Sequence, residues 1–148
     1  MADPRTVGIG DCRAGQGEEL LLIAGPCVLE DRDEMFAVAE HMSALAEGLG
    51  VGYVFKASFL KDNRTRSSSP RGPGADEGLR LLQDIRGSVG CPVLTDVHLS
   101  EEIGACAEAG IDIVQIPAFL SRQSRLLEAA AASGCAVNVK KGQFLAPE

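Results

Sequence analysis

The chain has 148 residues, of which 45% are hydrophobic, enough for one domain with a core. Its formal net charge of −7, its 4% aromatic content and its lack of tryptophan argue against a nucleic-acid-binding surface of cations and stacking rings. Five cysteines with no C-x-x-C pair favour reduced thiols, and there is neither a signal sequence nor an apolar run of membrane-spanning length. We therefore expect a cytoplasmic protein that binds neither nucleic acid nor membrane.

The predicted elements begin after an N-terminal extension, residues 1–19, whose pattern leaves both a small hairpin and a disordered segment open. From residue 20 to 148, short runs rich in Val, Ile and Leu alternate with helical patterns. Such runs are typical of strands that are buried on both faces. They predict five strands: Leu20–Ala24, Gly52–Phe55, Pro92–Leu94, Ile111–Ile116 and Cys135–Val139.

Four helical patterns lie between or beside these strands. The first has apolar residues from Met35 to Leu49 on one face and follows the capping candidates Asp31 and Asp33. The others run from Leu79 to Val89, from Ser100 onward and from Ser121 to Ala132, and each pattern ends near a glycine: Gly50, Gly90, Gly110 and Gly134. The alternation predicts parallel strands joined by helical crossovers.

Every predicted strand ends in polar or ionisable residues. These ends are Gly25-Pro26-Cys27, Lys56-Ala57-Ser58, Thr95-Asp96-Val97-His98, Gln115-Ile116-Pro117 and Asn138-Val139-Lys140-Lys141. α/β barrels and open parallel sheets both place their sites at the carboxyl ends of strands, and the recurrence at all five favours the barrel. Five strands do not close an eight-stranded barrel, which needs about 250 residues.

The segment from Lys56 to Gly74 is the strongest candidate for an anion site. It contains five cations and several hydroxyl and amide donors, and Lys56 directly follows the apolar pair Val54-Phe55. Guanidinium and ammonium groups at a strand end match a phosphate or a carboxylate. The alternative is a solvated basic loop in front of a helix.

Three further features suit a site at the same strand ends. Asp96 and His98 lie two residues apart, so both can face one cavity and exchange protons or hold a metal; structural capping is the alternative. Cys27 is the cysteine that falls at a predicted strand end. On the fifth strand, Asn138 and Lys140 share a face, so Lys140 rather than Lys141 should point inward.

Taken together, six motifs in one order resemble the 3-deoxy-D-manno-octulosonate-8-phosphate synthase family. They are IAGPCVLE, YVFKASFLKDNRT, SPRGPG, LTDVH, QIPAFLSRQ and NVKKGQF. The resemblance implies a (β/α)8 TIM barrel, here truncated to about its first five strands. It also implies a transferase that condenses phosphoenolpyruvate with arabinose 5-phosphate and water, releases phosphate and serves lipopolysaccharide core biosynthesis, as a homotetramer when complete.

The resemblance also implies roles for individual residues. Lys61, Asn63, Asp96 and His98 match catalytic positions. Phosphoenolpyruvate contacts match Lys56, Ser58, Lys61, Gln115, the Ala118 backbone and Lys140, and sugar-phosphate contacts match Asn63, Arg64 and Thr65. Cys27 stands where metal-dependent members have a ligand, so the resemblance implies a divalent metal, zinc or ferrous iron.

Part of the family's pattern has no match in these 148 residues. The remaining metal ligands and a further arginine lie on later strands, so we expect an incomplete chain that is inactive alone. Two alternatives stay open: a heptulosonate-phosphate synthase of aromatic biosynthesis, which usually has Lys-Pro-Arg-Thr where this chain has Lys61–Thr65, and a non-catalytic phosphoenolpyruvate-binding remnant.

Overall fold

The computed structural model describes residues 6–62, 64, 66 and 68–146. These residues form a two-stranded antiparallel hairpin and a five-stranded parallel sheet whose strands lie side by side in chain order. Helices lie between successive strands of the parallel sheet. The fold is therefore α/β, as the alternating sequence pattern predicts.

The described residues contain the following elements. The strands are β1 (Val7–Ile9), β2 (Cys12–Ala14), β3 (Leu21–Val28), β4 (Gly52–Ser58), β5 (Val93–Asp96), β6 (Ile113–Ile116) and β7 (Ala136–Val139). The helices are α1 (Arg32–Leu49), α2 (Ala75–Val89), α3 (Ser100–Glu108) and α4 (Ser124–Ala132), with a 3-10 helix at Ala118–Leu120.

The five predicted strands are confirmed as the members of the parallel sheet, but their ends differ from the apolar runs. β3 and β4 continue to Val28 and Ser58, past the predicted ends at Ala24 and Phe55, because the two strands remain paired as far as Val28 and Ser58. Backbone pairing does not require an apolar side chain, so hydrophobic runs underestimate strands that continue into polar residues.

The helix ends follow the predicted signals, except that α2 begins at Ala75, four residues before the predicted pattern at Leu79, and that α4 begins late. The Asp31 carboxylate caps α1 by accepting a hydrogen bond from the backbone three residues later, at 3.0 Å. α1 and α2 end at Gly50 and Gly90, both in the left-handed conformation that glycine adopts without strain. α4 begins at Ser124 rather than Ser121, because the preceding residues form the 3-10 helix and its cap.

Alternate residues of each strand face two different apolar clusters. Phe55, Val93 and Val114 are fully buried between the sheet and its helices. Their neighbours Val54 and Leu94 face the other side of the sheet, where they form a second cluster. The period of two along a strand therefore separates a helix-facing layer from an inner layer.

Two residues further along the strands, the inner face becomes polar. Lys56 follows Val54 in this alternation, Asp96 follows Leu94, and Gln115 lies two residues after Ile113 of the same inner cluster. The pleat therefore places the polar strand ends above the inner apolar cluster, at the carboxyl edge of the sheet.

The N-terminal hairpin, β1 and β2, lies at the edge of the parallel sheet opposite the polar strand ends. Ile9 of β1 is buried in the inner cluster, with Cys12 and Ala14 of β2 packed beside it. The hairpin turn at Gly10 lies against Pro92, which precedes β5. The hairpin thus packs at the amino ends of the strands, away from their polar ends.

Between β3 and β4 the backbones approach closely just before the strand end. A Cβ atom at Gly25 would lie 2.1 Å from the Lys56 carbonyl oxygen, so only glycine fits there. The register shifts between Ala24 and Cys27, and Cys27 adopts a positive φ of 77°. This irregularity brings Cys27 to the same edge as Lys56.

The parallel sheet does not close on itself within the described residues, where β3 and β7 each pair on one side only. On β7, Val137 and Val139 remain 38% and 45% exposed. The sheet is consistent with the first five strands of a TIM-barrel family member rather than with a closed barrel. Among the helices of the described ranges, none has the length and apolar character needed to cross a bilayer.

Candidate active site

The polar strand ends surround one open cleft of about 530 Å³. The cleft collects residues from all five parallel strands and the segments that follow them. Its lining consists of Cys27, Lys56, Lys61, Asp96, Gln115, Pro117, Ala118, Lys140 and Lys141. Seven of the predicted site residues are therefore brought together at the carboxyl edge, where sites of parallel α/β proteins form.

Asp96 is the centre of a buried hydrogen-bond network in this cleft. Its Oδ2 accepts hydrogen bonds from Lys61 Nζ at 2.6 Å and from Ser58 Oγ at 2.7 Å, and its Oδ1 accepts one from Gln115 Nε2. The Lys61 and Asp96 side chains are only 9% and 7% exposed. A buried carboxylate with three donors is held in one position.

The surroundings of Asp96 keep it ionised. Burial alone would raise its pKa, but the hydrogen bond from Lys61, the charge of Lys56 and the hydrogen bond from Ser58 together hold the pKa below its usual value. An ionised carboxylate only accepts hydrogen bonds, so each neighbour of Asp96 must present a donor.

Four lysines line the cleft: Lys56, Lys61, Lys140 and Lys141. Burial lowers the pKa of Lys56, against the opposing effect of Asp96, and the charges of Lys61 and Lys140 lower it further. Lys140 lines the cleft together with Lys56, whereas the alternation predicts that Lys141 points away. Lys141 also lines the cleft, but its Nζ donates to the carbonyl oxygens of Gly142 and Leu145, at 2.9 and 2.8 Å.

Cys27 contributes a thiol to the cleft. Its side chain is exposed, and its Sγ lies 4.0 Å from Lys56 Nζ. Cysteine binds metals through its sulfur. The residues that the structure describes contain no group of three or more His, Cys, Asp and Glu side chains that could hold a metal ion. Cys27 suits one coordination position, whereas a zinc site needs three or four protein ligands.

His98 lies in an adjoining pocket and not beside Asp96. This pocket, of about 240 Å³, is lined by Asp62, His98, Leu99, Phe119 and Leu120, and shares Pro117 with the main cleft. The structure therefore places Asp96 and His98 in two adjoining pockets, whereas the spacing predicts that both can face one cavity. β5 ends at Asp96, so the strand alternation does not extend to His98, whose backbone N–H donates to Glu102 Oε2 of α3 at 2.6 Å.

Glu102, in the first turn of α3, also lies close to the His98 ring. Nδ1 of His98 lies 3.7 Å from Glu102 Oε2, an ion-pair distance, and has no hydrogen-bond partner among the described residues. Contact with Glu102 raises the pKa of His98 despite burial, and Asp62 and Asp96 raise it further. Burial alone would raise the pKa of Glu102. The His98 side chain and the backbone N–H groups of His98 and Leu99, which donate to the Glu102 carboxylate, lower it.

Comparison with known proteins identifies the family. Residues 3–148 match the sequence model of the DAHP synthetase I family. The chain belongs to this family. The match covers nearly the whole chain, so the cleft, the hairpin and the parallel sheet all lie inside the family's shared region.

Individual relatives within the family agree on a name. The 2-dehydro-3-deoxyphosphooctonate aldolase of Methylobacterium radiotolerans is 55% identical over 95% of this chain, and that of Rhodopseudomonas palustris is 53% identical over 99%. The protein of the same name from Geobacter metallireducens is 49% identical over 97%. These names confirm the resemblance to the octulosonate-phosphate synthases. The chain spans about half the length of these relatives, 49–52%.

The loop after β4 is only partly described. Asn63 and Thr65, predicted to contact the sugar phosphate, lie outside the described residues. Arg64 is exposed, and its Nε donates to the Pro70 carbonyl oxygen at 3.0 Å, so it contacts its own loop rather than the cleft. Lys61 N–H donates to the Arg71 carbonyl oxygen at 2.7 Å, which anchors the start of the loop.

Two residues with contacts in or beside the site were not assigned roles from the sequence. Asn138 donates from Nδ2 to Gln115 Oε1 at 2.8 Å and so extends the Asp96 network to β7. Glu102 contacts His98 as described above. The sequence did contain a signal for Glu102, because a His followed four residues later by a Glu at a helix start can form a pair. The contact of Asn138 with Gln115 could be found only from the strand register.

We predict that Glu102→Gln lowers the pKa of His98, since the carboxylate is the main cause of its rise. Because the pKa of His98 is raised in the folded state, protonated His98 stabilises the fold. This contribution is fully present when the pH is below the ordinary histidine pKa of about 6.5, and it is lost as the pH rises through the folded-state pKa. The variant should therefore lose stability mainly on the acid side of that pKa. NMR titration of His98 and urea unfolding at several pH values measure both effects. Glu101→Gln, one residue away and exposed, is the control; an unchanged His98 titration in Glu102→Gln would contradict the prediction.

Proposed function

We propose that the protein is part of a 3-deoxy-D-manno-octulosonate-8-phosphate synthase. The complete enzyme would be a transferase that condenses phosphoenolpyruvate with arabinose 5-phosphate and water, releasing phosphate, for lipopolysaccharide core biosynthesis. The supporting observation is a cleft with two lysines, Lys56 and Lys140, beside a buried ion pair. Phosphoenolpyruvate carries a carboxylate and a phosphate, so it needs at least two cationic contacts in a restricted space.

The residues of the cleft divide into binding and positioning groups. Lys56 and Lys140 provide ammonium groups for the ligand's anionic ends, and Gln115 provides an amide. The backbone N–H of Ala118, at the start of the 3-10 helix, has no partner within that helix and can donate to the same ligand. Ser58 donates to Asp96 and does not itself line the cleft, so its proposed role is to hold the carboxylate.

Asp96, Lys61 and His98 are the residues proposed to take part in the proton transfers of the reaction. As the new carbon–carbon bond forms, the aldehyde oxygen of the sugar must gain a proton, and water must add to the adjacent carbon before phosphate leaves. Lys61 and His98 are proton donors in their charged forms, and Asp96 holds Lys61 at 2.6 Å. Asn63, Arg64 and Thr65 would bind the sugar phosphate from the loop after β4.

We further propose Cys27 as one ligand of a divalent metal, zinc or ferrous iron. The exposed, unpaired thiol in the cleft supports this role. The other ligands would come from the half of the relatives' length that this chain does not span.

The complete enzyme is proposed to act in the cytoplasm as a homotetramer. The five cysteines are all unpaired, which suits a reducing compartment. The 148-residue chain alone should bind phosphoenolpyruvate weakly and should not turn it over, because it spans about half of its relatives.

Calorimetry and phosphate release test this proposal on the chain itself. Phosphoenolpyruvate should bind, arabinose 5-phosphate should bind after it, and no phosphate should be released when both are present. Absence of phosphoenolpyruvate binding would sink the proposed function, and rapid phosphate release would sink the proposed incompleteness. Binding of erythrose 4-phosphate in preference to arabinose 5-phosphate would favour the heptulosonate-phosphate synthase instead.

A further inference from the structure

Three polar residues form a direct row across neighbouring strands of the cleft. Asp96 on β5 is the register partner of Gln115 on β6, and Gln115 is the partner of Asn138 on β7. Gln115 Nε2 donates to Asp96 Oδ1, and Asn138 Nδ2 donates to Gln115 Oε1 at 2.8 Å. Asp96 and Gln115 are 5% and 4% exposed, so water does not substitute freely for these contacts.

The charge of Asp96 determines how both amides in this row are oriented. An ionised carboxylate accepts only, so Gln115 must turn its Nε2 towards Asp96 and its Oε1 towards β7. Asn138 must then present a donor to that oxygen, which its Nδ2 does. If residue 138 presented an acceptor instead, the Gln115 amide would lie between two acceptors, and its Nε2 could donate to only one side while its Oε1 faced the other acceptor.

We propose that Asn138 is a positioning residue that holds the Gln115 amide in the one orientation that offers an N–H to an anion in the cleft. Nε2 of Gln115 has two N–H bonds, and within the described residues one of them is used by Asp96. With Oε1 held by Asn138, the second N–H remains for a ligand in the cleft that Gln115 lines. The ligand in this inference is phosphoenolpyruvate, so this part rests on the proposed function.

A purely structural role for Asn138 makes a different prediction. A half-buried asparagine that only satisfies its own hydrogen bonds would affect stability without changing the Gln115 amide. The positioning role instead couples the chemistry of residue 138 to the side-chain N–H signals of Gln115. Those signals are therefore the decisive measurement.

Two variants of the 148-residue chain separate these roles. Asn138→Leu keeps the size and removes the donor; it should shift the Gln115 side-chain N–H signals in NMR spectra and weaken phosphoenolpyruvate binding about tenfold. Asn138→Asp should disturb the same signals while its new carboxyl group is ionised. As the pH falls and that group is protonated, it becomes a donor and the wild-type signals should return.

The control is Val139→Thr, which replaces an exposed side chain of β7 by one of similar size. It should change neither the Gln115 side-chain N–H signals nor the affinity for phosphoenolpyruvate. Gln115 signals that stay the same in both Asn138 variants would overturn the inference, as would shifted signals with affinity within twofold of the wild type. If the wild-type chain binds no phosphoenolpyruvate while the signals shift as expected, the proposed function fails and the orientation of Gln115 by Asn138 stands.

Discussion

Replacing Asp96 with alanine should destabilise the chain by about 3–5 kcal/mol, the usual cost of leaving a buried charge without its partner. The change removes the acceptor for Lys61 at 2.6 Å and for Ser58 at 2.7 Å, and it also removes the acceptor of Gln115 Nε2. Lys61 is 9% exposed in its side chain, so its ammonium cannot simply turn into solvent. Urea unfolding followed by circular dichroism measures the loss.

The matched control is Asp84→Ala, which breaks an ion pair with Arg32 of nearly the same length, 2.8 Å. Both partners there are about half exposed, at 57% and 49%, so the expected loss is below about 1 kcal/mol. Equal losses for the two variants would show that the buried network around Asp96 does not hold the strand ends together. A loss several times larger at Asp96 is the expected result.

Replacing Lys140 with alanine should weaken phosphoenolpyruvate binding about 10- to 100-fold, the range expected for loss of a hydrogen bond from a charged group. Lys140 lines the cleft close enough to Lys56 to lower its pKa, so both lysines lie where an anion would bind. Removing Lys140 should also let the pKa of Lys56 rise towards its ordinary value. Calorimetric titration of the 148-residue chain measures the affinity.

Lys141→Ala is the control, since the two lysines are adjacent and carry the same charge. The Lys141 ammonium is bound to the carbonyl oxygens of Gly142 and Leu145, so its loss should change affinity less than about threefold. A larger effect at Lys141 than at Lys140 would reverse the predicted orientation of the strand after Asn138. Equal effects would indicate attraction by net charge and not a specific contact.

The sequence predicted most of the fold because its signals are local. Short runs of Val, Ile and Leu identified the five strands, Asp31 identified the start of α1, and Gly50 and Gly90 identified two helix ends. Each of these depends on residues within one or two turns of each other. The sequence did not decide between a hairpin and a disordered segment for the N-terminal extension, because the buried residues that Ile9 joins, Val54, Leu94 and Ile113, are distant from it in sequence.

Site residues were predictable to the extent that they lie at strand ends. Lys56, Asp96, Gln115 and Lys140 line one cleft because parallel strands bring their carboxyl ends together. His98 lies in the neighbouring pocket because its backbone N–H is bound by Glu102. Asn63 and Thr65 remain predictions.

By itself, the amino-acid sequence determined an alternating α/β chain with polar strand ends, and its motifs determined the family. Both follow from local periodicity and from short, ordered patterns of residues. Only the tertiary structure decided which polar groups contact each other. Asp96 contacts Lys61, and Asn138 contacts Gln115. These contacts depend on strand register and on where each chain segment turns after its strand. These relations join residues as far as 35 positions apart, and no local pattern encodes them.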